Sequence, residues 1–397
     1  MPIFIAFTCC LILNAASQLL ENSNPSLAAT LNPLNTDARI NVLVGDFNLS
    51  DPPPAAELAA RAAALVYLAP ADARGYSLIG AAQERQGDMA AATESFRAAL
   101  AHSRTERYAL MHLLSFSLSD GDAAASVRYF DLLLRRWSEF SGEVMPIVFD
   151  FLKTPERMAA LEAALVQFPP WRNAAIWQLT LRPEGARFVS NVLIRHPERT
   201  RNWDDEVGRT ISALIDMGGP ALAYALFQQT LLPEEAAVSG YVYDSGFTRQ
   251  SGGRAFEWRI GRSSGADLRL PAGPDQPGLR LRFLQSPATL GTPSQNLYLP
   301  PGDYVLEATA DGSALRLPKG LYWRINCFGG SGEVTRLDLD EGTYRQASRQ
   351  VRFFVPAGCA MQSLTLETGV TTSSWRDRYD GDITITNVRV SRFRGPA

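Results

Sequence analysis

Lysine is almost absent from this chain. Lys153 and Lys319 are its two copies among 38 basic residues, which leaves 38 − 2 = 36 arginines. Histidine is nearly as scarce, with three copies at 102, 112 and 196, and none stands in a HExxH or other metal-ligand spacing. That excludes the usual zinc hydrolase signatures. No glycine-rich phosphate loop ends in Lys-Ser/Thr, and Gly329-Gly330-Ser331-Gly332 runs into Glu333 rather than completing a nucleophile elbow. The net charge of −3 lacks the basic excess of general nucleic-acid binders, so no nucleic-acid partner is expected. Beyond the first twenty residues no apolar run approaches the length of a membrane span. Among enzyme classes, a glycosidase-type carboxylate pair stays open. Asp338, Asp340 and Glu341 are candidates only because acids are plentiful, and a solvated acidic strand end is the simpler reading. No catalytic residue and no metal site is assigned.

What is present suits two globular domains: 397 residues, 46% hydrophobic and 20% charged. The abundance of arginine and alanine fits GC-rich, bacterial coding, an inference about codons rather than physics. Residues 1–20 carry no charge. Their apolar run, Ile3–Leu13, leads to Asn14-Ala15-Ala16-Ser17 without the basic start of a standard signal. A cleaved signal, an uncleaved membrane anchor and a buried first helix all fit. Export, to the periplasm or to a membrane facing it, is the expectation carried forward. Of four cysteines, Cys9 and Cys10 lie in this leader. Cys327 and Cys359 remain as one pair, either a disulfide, as export favours, or two buried thiols.

Residues 25–235 read as helices. In Ala73–Glu106, Tyr76, Ile79 and Gly80 share one helical face, Gly87-Asp88 breaks the chain, and Ala92, Phe96 and Ala99 share the next face. Small residues let the two backbones approach and Phe96 fills the gap. This pattern resembles the tetratricopeptide repeat. Leu31-Asn32-Pro33 and Leu68-Ala69-Pro70 are matching stops, and Pro52-Pro53-Pro54 opens a helix over Ala55–Tyr67. Arg107–Phe140 continues the pattern in degenerate form, with Leu114, Ser126 and Leu133 where small residues are preferred. Val144–Leu152, Pro155–Gln167, Asn173–Leu181, Asp205–Met217 and Pro220–Leu231 extend the helices. Stacked hairpins of this kind form an α-solenoid. A solenoid groove for a protein partner would be lined by Tyr76, Gln83, Leu110 and Ser117, unless these residues pack between hairpins.

Near 233–243 the helical spacing stops. From 240 to 397 short segments alternate apolar and polar residues, among them Leu279–Phe283, Tyr304–Glu307, Leu321–Cys327, Val351–Phe353, Leu364–Glu367 and Ile383–Thr386. With turns such as Pro300-Pro301-Gly302-Asp303 between them, they predict an antiparallel β-sandwich. The fold class is therefore α plus β in separate domains. Tyr243-Asp244-Ser245-Gly246-Phe247, Phe256-Glu257-Trp258-Arg259-Ile260, Gly320–Ile325 and Thr386-Asn387-Val388 follow one another in an order that resembles the jelly-roll module, similar to carbohydrate-binding modules, that ends some bacterial tetratricopeptide-repeat proteins. Pro169-Pro170-Trp171-Arg172 resembles the same group. The resemblance implies an exported protein connected with exopolysaccharide or cell-envelope biogenesis. It also implies a structural calcium, but the two ligand places hold Thr248 and Asn387, which leaves the set incomplete. Asp380-Gly381-Asp382 is a substitute, yet Asp-Gly is first a turn signal. No other cofactor is implied.

Alternation turns Tyr322, Arg324 and Asn326 away from the core side of their strand, and turns Arg280 and Arg282 away on theirs. If these strands share a sheet, its outer face is rich in arginine and suits an acidic polysaccharide. The alternative is a solvated face whose arginines pair with Glu307, Glu367 and Asp267, the default for a half-wet sheet. Trp375 and Tyr379, in a loop, add a sugar platform or else cap the core. The function expected is a non-enzymatic exported scaffold whose solenoid binds protein and whose sandwich binds glycan. A glycan-active enzyme and a purely structural cap are the competing readings.

Overall fold

The structure is a computed structural model that describes residues 2–197, 202–250, 252–271, 276–291, 293–330, 332–370 and 376–393, with side chains from residue 8 onward. It divides into two compact units, Met1–Gln178 and Leu179–Ala397.

The first unit is helical. Helices α1 (Pro2–Leu20), α2 (Pro25–Leu31), α3 (Thr36–Phe47) and α4 (Ala55–Leu68) precede the hairpin of α5 (Ala73–Arg85) and α6 (Met89–His102). Its turn is made by Gly87, at a positive φ of 81°, and by Asp88, which caps α6 by accepting from the Ala91 amide at 3.0 Å. Ala92, Phe96 and Ala99 are fully buried. A methyl group at Gly80 would stand 2.8 Å from the Phe96 ring, so glycine is what lets α5 and α6 close. The next hairpin, α7 (Arg107–Asp120) and α8 (Ala123–Arg136), turns on Gly121 and the Asp122 cap. Its two helices are linked by a hydroxyl pair, Ser126 to Ser117 at 3.0 Å. Helix α1 is tied in by polar groups: Ser17 donates to the Ala28 carbonyl at 2.7 Å, and Asn32 donates to Asn14 at 2.8 Å. Among the described residues no helix is long and apolar enough to cross a membrane.

The segment expected to be helical at 144–152 differs in kind. Only Ser141–Val144 (α9) is α-helical there, and Met145–Lys153 winds as a 3-10 helix. Pro146 fits a first turn, and Thr154 already caps α10 (Pro155–Leu165), so a full α segment has no room. Helix α11 (Arg172–Leu179) reaches the boundary between the units.

The second unit opens with α12 (Pro183–Arg195), α13 (Trp203–Asp216), α14 (Pro220–Gln229) and α15 (Pro233–Ala236). Among the described residues nine strands follow: β1 (Ala266–Arg269), β2 (Leu279–Phe283), β3 (Ser294–Leu297), β4 (Gly302–Arg316), β5 (Leu321–Cys327), β6 (Glu333–Asp338), β7 (Gly342–Val355), β8 (Gln362–Thr368) and β9 (Asp380–Arg392). They pair antiparallel in two sheets, ordered β1-β2-β9-β4-β7 and β3-β8-β5-β6. Inward residues of both sheets form one core, including Leu281, Leu306 and Ile383 from the first and Trp323, Ile325 and Leu366 from the second.

The helices at the start of this unit are built onto the sandwich. Phe227 of α14 meets Tyr243 and Phe256 at ring separations of 5.4 and 5.5 Å. Arg254, 6% exposed, lies over the Phe227 ring and bridges Glu235 of α15 at 2.9 Å and Glu257 at 2.6 Å. A buried cation held by two carboxylates is costly to disturb, because any one loss leaves an uncompensated charge.

Candidate functional site

The outer face of the five-stranded sheet is bent where β4 slips its register. Pairing with β7 jumps from Ala310–Ala347 to Gly312–Tyr344 and then to Leu315–Gly342. Pairing with β9 slips after Thr309 and again after Ser313. Such bulges kink a strand and re-aim its side chains. Ala314 and Gln346 take left-handed backbone angles here, both with φ of 48°. The Gln346 turn is pinned by Asp311, whose carboxylate accepts from the Gln346 backbone amide at 2.6 Å.

A depression of about 610 Å³ results. The Tyr344 ring packs against Gly312, where a methyl would stand 2.6 Å from it. Its hydroxyl donates to the Asp340 carbonyl at 3.0 Å. Burial, with the Asp340 and Asp311 carboxylates adding to it, pushes the Tyr344 phenol up to about 12, so it stays neutral at ordinary pH. Around the ring stand Gln276, Arg280, Ser313, Thr343, Arg345, Asp382 and Thr384. Arg280 reaches Asp382 at 3.1 Å. Arg345 is exposed and has no ion-pair partner among the described residues. The lining thus offers planar amide, guanidinium and carboxylate groups, hydroxyls and one half-buried ring, all on an open surface.

The arginine face expected from alternation is divided. Arg280 and Arg282 leave the five-stranded sheet on β2, whereas Tyr322, Arg324 and Asn326 leave the four-stranded sheet on β5. Opposite sheets of a sandwich turn their outer faces away from one another, so the two groups cannot act on one ligand surface. Tyr322 is only 4% exposed, because Arg336 on the neighbouring strand lies 3.6 Å from its ring centroid and Arg324 lies 5.1 Å away. Arg324 itself sits 3.1 Å from Glu333 and 3.2 Å from Glu367. Glu307 pairs with Arg389 at 2.7 Å and Asp267 with Arg269 at 3.4 Å. Tyr379 is fully buried against Phe283, its hydroxyl donating to the Gly320 carbonyl at 2.8 Å, which makes it a core residue rather than a platform. Trp375 lies outside the described residues. Asn326 lines a separate trough on its own sheet.

Asp338, Asp340 and Glu341 are each engaged, with Arg336, Arg349 and the Leu317 amide respectively. Thr248, at the place where the resemblance implies a calcium ligand, donates its hydroxyl to Asp244 at 2.7 Å, and Asp382 is held by Arg280. These residues do not form the implied ligand set. Among the described residues no three His, Cys, Asp or Glu side chains are grouped to hold a metal ion. Cys327 and Cys359 are joined in a disulfide, their Cα atoms 5.4 Å apart.

In the helical unit, Leu110 is fully buried, and Ser117 is buried with its hydroxyl shared between Ser126 and the Leu114 carbonyl. Neither lines an open groove. Tyr76 and Gln83 are half-buried. The Tyr76 ring stacks on His102 at 4.6 Å, and Gln83 accepts from Ser95 at 2.7 Å.

Tyr344, Gln346, Asp311 and Thr343 were not expected at a site. Their juxtaposition depends on the bulges in β4, which no motif announces. The odd spacing of Gly342-Thr343-Tyr344, outside clean alternation, is the one trace in the sequence.

No protein-family model matches the chain, and no curated protein matches it. The sandwich region is similar to solved carbohydrate-binding modules. A family 4 module is 14% identical, covering 38% of this chain and 98% of that one at a TM-score of 0.29. A family 6 module of lichenase 5A from Cellvibrio mixtus, solved with cellotriose, is 13% identical, covering 34% and 92% at a TM-score of 0.22. A family 6 module of a laminarinase from Zobellia galactanivorans is 14% identical, covering 34% and 93% at a TM-score of 0.22.

Proposed function

We propose that the sandwich binds an acidic polysaccharide in the depression on its five-stranded sheet, as part of a non-catalytic, exported protein whose helical unit engages a protein partner. The observation that carries this is the lining of the depression. Sugar hydroxyls both donate and accept, and they match a site that mixes amide, hydroxyl and carboxylate groups. Arg345, exposed and without an ion-pair partner among the described residues, adds donors that suit a carboxylate on the ligand. The two carboxylates of the depression are already engaged, Asp311 by the Gln346 amide and Asp382 by Arg280, which favours binding over acid–base chemistry. The Cys327–Cys359 disulfide supports an oxidising, exported setting.

The test is affinity electrophoresis of the full chain in gels containing polygalacturonate or alginate. Retardation that falls with salt and is weakened about tenfold by Arg345→Ala supports the proposal. A folded chain that neither gel retards overturns it. A structural role for the sandwich has its own support in the seam at Phe227, Tyr243, Phe256 and Arg254, and it predicts a folded chain without glycan retention.

A further inference from the structure

The outer face of the four-stranded sheet carries a trough of about 490 Å³ that shares no lining residue with the depression above. Its floor is a rung across three strands. Asn296 of β3 stands beside Ser363 of β8, and Ser363 stands beside Asn326 of β5. Ser294 and Thr365 make half of the next rung. No carboxylate lines the trough, and the exposed Arg259, which has no ion-pair partner among the described residues, donates to the Asn296 side chain at 2.8 Å. Among the described residues, no hydrogen bond is made by the Asn326 amide or by the Ser294 and Ser363 hydroxyls.

At the rim stands Phe328, 51% exposed. It is not left in water by a loose loop. Cys327 beside it is bonded to Cys359, and the Phe328 amide donates to the Met361 carbonyl at 2.8 Å. The chain thus places an aromatic ring in solvent beside the uncommitted Asn326 amide and the Ser294 and Ser363 hydroxyls. Burial would be the default for such a ring, and a braced, exposed aromatic beside hydroxyl-matching groups is what the apolar face of a pyranose needs.

We propose that this trough is a second glycan site, for a neutral chain, with Phe328 as the stacking ring and Asn326, Ser363 and Ser294 as hydrogen-bonding groups. It goes beyond the acidic-glycan site and does not depend on it. The groups beside the ring are neutral amides and hydroxyls, which match sugar hydroxyls without calling for a charge on the ligand.

The test uses the full chain with three neutral soluble glycans, laminarin, hydroxyethyl cellulose and galactomannan, by affinity electrophoresis and titration calorimetry. Binding to at least one is expected. It should weaken about tenfold or more in Phe328→Ala and in Asn326→Ala. Ser363→Trp, which fills the trough and leaves Phe328 in place, should abolish it. Polygalacturonate retention by Phe328→Ala should stay at the wild-type level. The proposal is overturned if none of the three neutral glycans binds, or if Phe328→Ala and Ser363→Trp bind them as well as wild type. Neutral binding lost in Gln346→Ala alone would also overturn it, and would leave the depression on the other sheet as the single site.

Discussion

The helical unit and the sandwich hold themselves together over different distances along the chain. In the helical hairpins the decisive partners are close in sequence. Gly80 meets Phe96, and Ser117 meets Ser126 across nine residues. In the sandwich, Arg280 reaches Asp382 across 102 residues and Arg389 reaches Glu307 across 82. Local pairing can be laid down hairpin by hairpin, whereas the sandwich must close long loops before its core gains anything. The same difference decides what each part can carry. The helical hairpins pack through residues close in sequence, while the sandwich brings distant residues together on its faces and can place unlike groups side by side.

That contrast can be broken most strongly at Arg254. Arg254→Ala strands Glu235 and Glu257 and should cost about 3–5 kcal/mol in the guanidinium unfolding of the 179–397 unit. A loss under ~1 kcal/mol would mean that the seam between α14, α15 and the sandwich contributes little. Removing the disulfide should come next. It closes a span of 32 residues, so Cys327→Ser with Cys359→Ser should lower stability by about 3–4 kcal/mol. It should also weaken neutral-glycan binding by loosening Phe328, which calorimetry on the folded variant would read.

The helical side offers the smaller effects. Gly80→Leu forces α5 and α6 apart at Phe96 and should cost about 1–3 kcal/mol, measured as the shift in midpoint of the helical circular dichroism signal. The weakest handle is His112, which stands 2.7 Å from Glu84 and stacks on Phe96. Burial holds its imidazole below the ordinary value near 6.5, with Glu84 opposing the shift. The unfolded chain therefore takes up the proton first. Stability is present above about pH 6.5 and declines as pH falls through that value toward the lower folded-state pKa. His112→Gln should flatten the melting temperature between pH 7 and pH 5 by about a degree or two. An unchanged slope would show that the imidazole is solvated in both states.

Much of the architecture could be read from the residues. The Gly80, Ala92, Phe96 and Ala99 pattern packs as its spacing implies, and β2 and β5 span the alternating stretches at 279–283 and 321–327. The site was less legible, for three physical reasons. Alternation tells which side of its own strand a residue takes, but not which sheet the strand joins, so Arg280 and Arg324 looked like neighbours. It says nothing of a side chain reaching over from the next strand, so Tyr322 looked exposed although Arg336 covers it. And a bulge such as that in β4 changes register without a motif, so beyond the broken alternation at Gly342-Thr343-Tyr344 nothing announced that Asp311, Tyr344 and Gln346 would meet.

The antiparallel sandwich places its two polar hollows on faces that look in opposite directions. Sheets packed this way stand ~10 Å apart. A strand of polysaccharide seated on each face would be held at a fixed separation, with no flexible tether to lose entropy when the second strand arrives. If both proposed sites take their glycans, the domain would act as a cross-link: one molecule would tie two chains into a network, and the mesh would stiffen with the number of sandwiches rather than with the strength of either grip.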